Sequence, residues 1–260
     1  MGPGIPKIIG VVHLLPLPGA PRFGGSMDAV VERGISDCIV YHDNGVTSLI
    51  VENFGDAPFG RQRVDPITVS AMTLASVEFK RKFPEIEFGI NVLRNDAESA
   101  LSIATVVGAS FIRVNVYVGA VVADQGIIEG EAYKVTRLRK TLNSDVKIFA
   151  DVDVKHSSRI GEYTLQQQAA DALERGLADG IIISGRRTGE AVDMTELRGL
   201  RKEFPHAKII VGSGANKQTV GSLLKYADSV IVGTWVKVDG ITTNPVDAKR
   251  LKEFMRAAKD

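Results

Sequence analysis

Short runs of β-branched and apolar residues, each followed by a stretch with helical spacing, recur eight times along the chain. They are Ile8 to Val12, Ser48 to Glu52, Glu87 to Val92, Phe111 to Val116, Lys147 to Val154, Gly180 to Ser184, Lys208 to Gly212 and Ser229 to Gly233. Ile181-Ile182-Ile183 and Ile209-Ile210-Val211 show no polar alternation, so each of these runs needs cover on both faces. Strands covered on both faces and joined through helices make a parallel sheet, because a parallel pair requires a long crossover. Eight such units predict an α/β fold, a single (β/α)8 TIM barrel occupying residues 1–260 as one domain. An open doubly wound sheet would share the alternation, but eight similar units and the glycines ending the last two runs favour closure.

At 260 residues, 44% hydrophobic and 24% charged, the chain can bury a full core without covalent staples. A net charge of +1 provides no field for a nucleic-acid polymer or an acidic membrane surface. Cys38 is the only cysteine, which excludes an intramolecular disulfide and a thiolate metal cluster. It lies in an apolar helical stretch and reads as a small buried hydrophobe. No run is long and apolar enough for a transmembrane helix, and Met1 to Lys7 lacks the design of a secretory signal. These features predict a cytoplasmic protein and leave peripheral membrane contact and homo-oligomerisation open.

Caps at Asp65-Pro66, at Asp193 with Glu196, and at Asn244-Pro245 with Asp247 open helices between the runs. The segments leaving the strands are long: His13 to Ser26, Asn53 to Asp65, Tyr117 to Gly130 and His156 to Tyr163. Those returning to strands are short, as in Asn44-Gly45-Val46 and Phe204-Pro205-His206. The elaborated carboxyl-terminal face is therefore where a ligand site is expected.

In the fifth run, alternation places Ile148, Ala150, Val152 and Val154 on one face and Asp151, Asp153 and Lys155 on the other. With the apolar face on helices, the charged face points into the barrel mouth. Two carboxylates two residues apart lie about 7 Å from each other, an arrangement that splits pKa values or grips a hard cation. Glu52, Asp151 and Asp153 are thus candidates for magnesium as well as for acid–base chemistry; an ion-pair network plugging the barrel is the plainer alternative. His13, Glu52, Asn91, Arg113, Asn115 and His156 add polar groups to the same rim.

The last two runs end in Gly212-Ser213-Gly214 and Gly233-Thr234, and the sixth ends in Ser184-Gly185. In a barrel of this type, glycine turns after the final strands let backbone N–H groups and a helix N-terminus approach a phosphate. A small phosphorylated ligand is the expected partner.

Several long motifs carry a resemblance. They are His13-Leu-Leu-Pro-Leu-Pro-Gly-Ala-Pro21, Val51-Glu-Asn-Phe-Gly-Asp-Ala-Pro-Phe59, Asn91-Val-Leu-Arg-Asn-Asp96, Phe111-Ile-Arg-Val-Asn115, Ala150-Asp-Val-Asp-Val-Lys-His156, Val211-Gly-Ser-Gly214 and Asn244-Pro-Val-Asp247. In this order they resemble the BtpA family, including its SgcQ-like branch, over nearly the whole chain. The resemblance implies a β/α barrel; one branch carries a nucleosidase label, while the naming member is associated with photosystem I biogenesis at a membrane.

Two functions follow from residues and resemblance together. One is an enzyme for a small phosphorylated sugar or nucleoside-like compound: a nucleosidase, or an isomerase or lyase. Glu52, Asp151, Asp153 and Lys155 would be its catalytic residues, and His13, Asn91, Arg113, Asn115 and His156 would bind substrate. Ser184, Gly185, Gly212, Ser213, Gly214, Gly233 and Thr234 would hold its phosphate. The sixth run contains no lysine for a Schiff base. The other function is a non-catalytic peripheral membrane assembly factor, for which His13 to Pro18 would supply an apolar patch. A rigid lid over the pocket is the alternative reading of that loop.

Overall fold

Ile9, Val11, Ile50, Phe111, Phe149, Ile182, Ile210 and Ile231 form one buried cluster, and the strands carrying them close on themselves around it. The architecture is that of a computed structural model describing residues 8–154, 157–185 and 191–259. The barrel strands are β1 (Ile8–His13), β2 (Ser48–Glu52), β3 (Glu87–Asn91), β4 (Phe111–Val114), β7 (Lys147–Val152), β9 (Gly180–Ile183), β10 (Ile209–Val211) and β11 (Ser229–Val232). They pair in parallel in that order, and β1 meets β11 to close the ring.

Alternation gives each strand two apolar faces. Residues such as Val12, Val51, Ile90, Ile112, Ile148, Ala150, Ile181 and Val211 belong to a second, larger cluster shared with the surrounding helices. Removing both faces from water is the main force closing the barrel. The helices start where capping chemistry indicates: Asp65 precedes Pro66 at the head of the helix Pro66–Lys82. Asp193 caps the helix Met194–Glu203, and Asp247 caps the helix Ala248–Ala257.

The seam between the first and last strands is reinforced from outside by the helix Met27–Asp43. Tyr41 Oη accepts a hydrogen bond from Val11 N at 3.2 Å and lies 3.4 Å from the Val232 carbonyl oxygen. Glycine is required beneath it, because a Cβ on Gly10 would lie 2.5 Å from the Tyr41 ring. One turn back along the helix, Asp37 accepts from Lys237 Nζ at 2.6 Å and from Val246 N at 2.8 Å, with both charged side chains buried. Burial pulls the Lys237 pKa down, against the opposing pull of Asp37. Cys38 is buried in the same helix, and that burial raises its thiol pKa.

The stretch Tyr117 to Gly130, which the sequence presents as a loop, contains a hairpin. Strands β5 (Ala120–Ala123) and β6 (Gly126–Glu129) are antiparallel, and β8 (Ser157–Arg159) joins β5 on its other side. Val116, Val121, Ile128 and Val154 form a small core under this sheet. Among the described residues no helix is long and apolar enough to cross a membrane.

Candidate active site

Two residues beyond each inward apolar or glycine position, the strand direction brings a side chain or glycine to the barrel mouth. One position per strand results: His13, Glu52, Asn91, Arg113, Asp151, Ser184, Gly212 and Gly233. A cavity of about 750 Å³ opens above this layer at the carboxyl ends of the strands.

The layer is organised around Arg113. Its Nε and Nη2 donate to Oδ1 and Oδ2 of Asp151, each at 2.9 Å, and Asn115 Nδ2 donates to the same Oδ2 at 3.0 Å. Asn91 Nδ2 donates to the Arg113 carbonyl at 3.0 Å and to Asn115 Oδ1 at 3.2 Å. Burial alone would lower the Arg113 pKa, but Asp151, through charge and hydrogen bonding, and Glu52 carry it upward. Arg113 and Asn115 line the cavity, with Asp151 held behind them.

Glu52 is the inward carboxylate that reaches the cavity wall. Its Oε1 stands 3.8 Å from His13 Nε2, and the His13 ring packs on Phe54 with centroids 5.0 Å apart. Next to Glu52, Asn53 Oδ1 accepts from Leu93 N at 2.7 Å while its Nδ2 donates to Asp56 Oδ2 at 3.1 Å. Burial lifts the Asp56 pKa, although hydrogen bonds from Leu17 N and Asn53 oppose the rise.

On the adjoining strand ends, Gly212, Ser213, Gly214, Gly233 and Thr234 all line the cavity. A Cβ on Gly212 would sit 2.5 Å from Ser184 Oγ and 3.3 Å from Arg113 Nη2; one on Gly233 would sit 2.8 Å from His13 Cε1. Gly214 has φ +74°, a left-handed conformation that favours glycine. The Ser213 and Ser184 hydroxyls are buried without a hydrogen-bond partner among the described residues. Arg250 completes this side: its guanidinium lies 4.8 Å from the centre of the Trp235 ring, and its Nε donates to the Trp235 carbonyl at 2.6 Å.

Several sequence expectations change. Strand β7 ends at Val152, and Asp153 has φ +56°, which breaks the alternation. Its N–H donates to Gln168 Oε1 at 3.0 Å, and Asp153 does not line the cavity. Asp151 has both oxygens engaged by Arg113 and Asn115, a poor setting for a dication beside a guanidinium. Among the described residues no group of three or more His, Cys, Asp or Glu side chains converges to hold a metal ion. Asn91 braces the layer from below, and neither Ser184 nor Gly185 reaches the cavity wall. Lys155 and His156 lie outside the described residues. In the loop after β1, Leu14 and Leu17 are buried while Leu15, Pro16 and Pro18 are partly exposed, Leu17 N donates to Asp56 Oδ1 at 2.8 Å, and residues 14–18 do not line the cavity.

Other lining residues escape the sequence reading: Phe59, Arg94, Asp124, Gln125, Trp235 and Arg250. Asp124-Gln125-Gly126 between Val-Val and Ile-Ile pairs is a readable hairpin signal. Arg94 stands inside the conspicuous Asn91 to Asp96 stretch, whereas nothing local marks Arg250.

The family model described as "BtpA family" matches residues 6–260. The chain is 47% identical to the photosystem I biogenesis protein BtpA of Synechocystis, covering 96% of this chain and 87% of that one. It is 44% identical to an uncharacterised protein of Methanocaldococcus jannaschii, covering 96% and 94% respectively. Similar solved structures include phosphoribosyl anthranilate isomerase from Thermococcus kodakaraensis, with TM-score 0.56 at 13% identity, covering 98% of this chain and 100% of that one. KGPDC from Streptococcus mutans, in its complex with ribose 5-phosphate, superposes with TM-score 0.60 at 11% identity, covering 98% of each chain. At these identities the solved structures share the fold.

Proposed function

This chain belongs to the BtpA family, and from that premise we propose that it is an enzyme acting on a small phosphorylated sugar or nucleoside-like compound at the mouth of its barrel. The carrying observation is that one cavity is lined both by an anion-binding wall and by a carboxylate next to it. The glycine turns at 212–214 and 233–234, with the Arg250 guanidinium, form the anion-binding wall; His13, on the strand paired with β11 and beside Gly233, and Glu52, on the next strand, adjoin it. Gly212 N already donates to the Ile183 carbonyl at 2.7 Å; backbone N–H groups further along such glycine turns, with a guanidinium, suit a phosphate. A carboxylate within reach of the sugar suits either an oxocarbenium-like transition state or proton transfer beside a carbonyl.

In this reading Glu52 is the reacting carboxylate. Asp151 is a positioning residue: it holds the Arg113 guanidinium flat, so that Arg113 and Asn115 present fixed donors to the sugar. A neighbouring barrel in complex with ribose 5-phosphate lends support at the level of fold. A nucleosidase, an isomerase and a lyase would each use this arrangement.

The test is calorimetric titration of the full chain with ribose 5-phosphate. Binding should weaken at least tenfold in Gly214→Asp, whose side chain brings a carboxylate into the anion wall, while the variant's unfolding transition stays cooperative. Equal binding by both proteins would remove the phosphate assignment. Once a turnover is found, Glu52→Gln should lower kcat far more than it changes KM.

The name of the Synechocystis relative favours a second reading, a non-catalytic factor in membrane-complex assembly. Of the leucines that reading would use, Leu14 and Leu17 are buried and Leu15 is partly exposed between them. Cosedimentation with anionic liposomes tests it directly.

A further inference from the structure

Around the barrel, β3 and β4 stand diametrically opposite β10 and β11. The loops following β10 and β11 carry the anion wall; those following β3 and β4 carry Leu93, Arg94 and the β5–β6 hairpin, whose tip residues Asp124 and Gln125 also line the cavity. Resting on the phosphate reading above, we propose that this far wall is a recognition subsite for a planar nitrogen heterocycle attached to the phosphorylated sugar, with Phe59 and Gln125 as specificity-determining residues.

The wall's composition differs from its surroundings. Leu93 and Phe59, the latter from the loop after β2 whose Gly60 carbonyl accepts from Arg94 N at 3.4 Å, supply apolar area and an aromatic face, on which every heterocyclic base can stack. Beside them stand groups of complementary hydrogen-bonding type: the Asp124 carboxylate accepts, the Arg94 guanidinium donates, and the Gln125 amide does both. Gln125 Nε2 donates to Asp124 Oδ2 at 2.7 Å, while its Oε1 is buried with no hydrogen-bond partner among the described residues. An apolar slot edged by a donor, an acceptor and an amide suits a flat ring bearing N–H and ring-nitrogen groups better than a second phosphate or an aliphatic chain.

The hairpin is built to hold position. Val121 and Ile128 anchor it in the core beneath the small sheet, and β8 pairs the side of β5 that β6 leaves free. At its base, Asn95 accepts from Val116 N at 2.8 Å and donates to Val116 O at 2.9 Å, and Gly130 N donates to Gly119 O at 2.7 Å. A two-residue turn so braced presents Asp124 and Gln125 at a fixed height over the cavity. The sugar then spans the middle, between Glu52 with His13 on one side and Arg113 with Asn115 on the other.

The experiment compares ribose 5-phosphate with adenosine and uridine 5′-monophosphates by calorimetric titration of the full chain. At least one nucleotide should bind roughly ten- to a hundredfold more tightly than ribose 5-phosphate. Phe59→Ala and Gln125→Ala should each erase most of that advantage while leaving ribose 5-phosphate affinity unchanged. Ribose 5-phosphate binding with no gain for either nucleotide overturns the heterocycle subsite alone. Loss of ribose 5-phosphate affinity in both variants overturns it as well, since these residues would then serve the whole cavity. Failure of all three compounds to bind removes the phosphate reading and this inference together.

Discussion

Arg113 and Asp151 are locked together by two parallel hydrogen bonds of 2.9 Å inside the barrel, where the aspartate side chain has no exposed surface. Desolvation offsets much of the attraction in such a pair, so removing half of it and removing all of it have different consequences. Asp151→Leu should destabilise the fold by about 3–5 kcal/mol, because it strands a buried guanidinium. The double variant Arg113→Met with Asp151→Leu should recover most of that loss. Urea unfolding of the parent, the two single variants and the double variant checks the cycle, and a single variant as stable as the parent would contradict it.

A second prediction concerns the barrel floor. A Cβ on Gly89 would lie 2.2 Å from the Phe111 ring, whose bulk occupies the space glycine leaves. Gly89→Ala should lower stability by about 1–3 kcal/mol through overpacking. Phe111→Leu in the same chain should return part of the loss, a coupling measurable by equilibrium denaturation.

A third concerns alkaline pH. Tyr117 is buried, and its hydroxyl donates to the Gly176 carbonyl. Burial, opposed by Arg139 and aided by Asp179, raises its pKa from 10.0 to about 12. Because the folded state holds this proton more tightly than the unfolded state does, the contribution is complete below pH 10.0 and is lost as pH rises through about 12. Tyr117→Phe should lack that component. The stability gap between parent and variant should therefore shrink from about pH 10 to about pH 12 in urea titrations; a gap independent of pH would refute the assignment.

The eight apolar runs located all eight barrel strands because burial on both faces leaves so plain a mark in composition. Period-two alternation also put Asp151 on the inward face. It failed one step later at Asp153, since a backbone turn to φ +56° cancels the alternation and residue type does not announce it. The hairpin at 120–129 is hidden among the elaborations between two strands, although its turn carries a signal. Arg94 and Arg250 are beyond local reading for a different reason: one arrives from a loop and the other from the last helix. They come to line one cavity only when the ring closes, and closure is a long-range event that periodicity does not encode.

That closure has a consequence for how occupancy would make itself felt. The wall carrying Thr234 and Trp235 is tied through Lys237 to Asp37, a partner 200 positions earlier in the chain, and Tyr41 spans the two strands that zip the ring shut. A ligand pressing on those last turns therefore also clasps the chain's beginning to its end. Its signature in hydrogen exchange would be slowed amide opening along Ile8–His13 and Ser229–Val232, far in sequence from most of the atoms it touches.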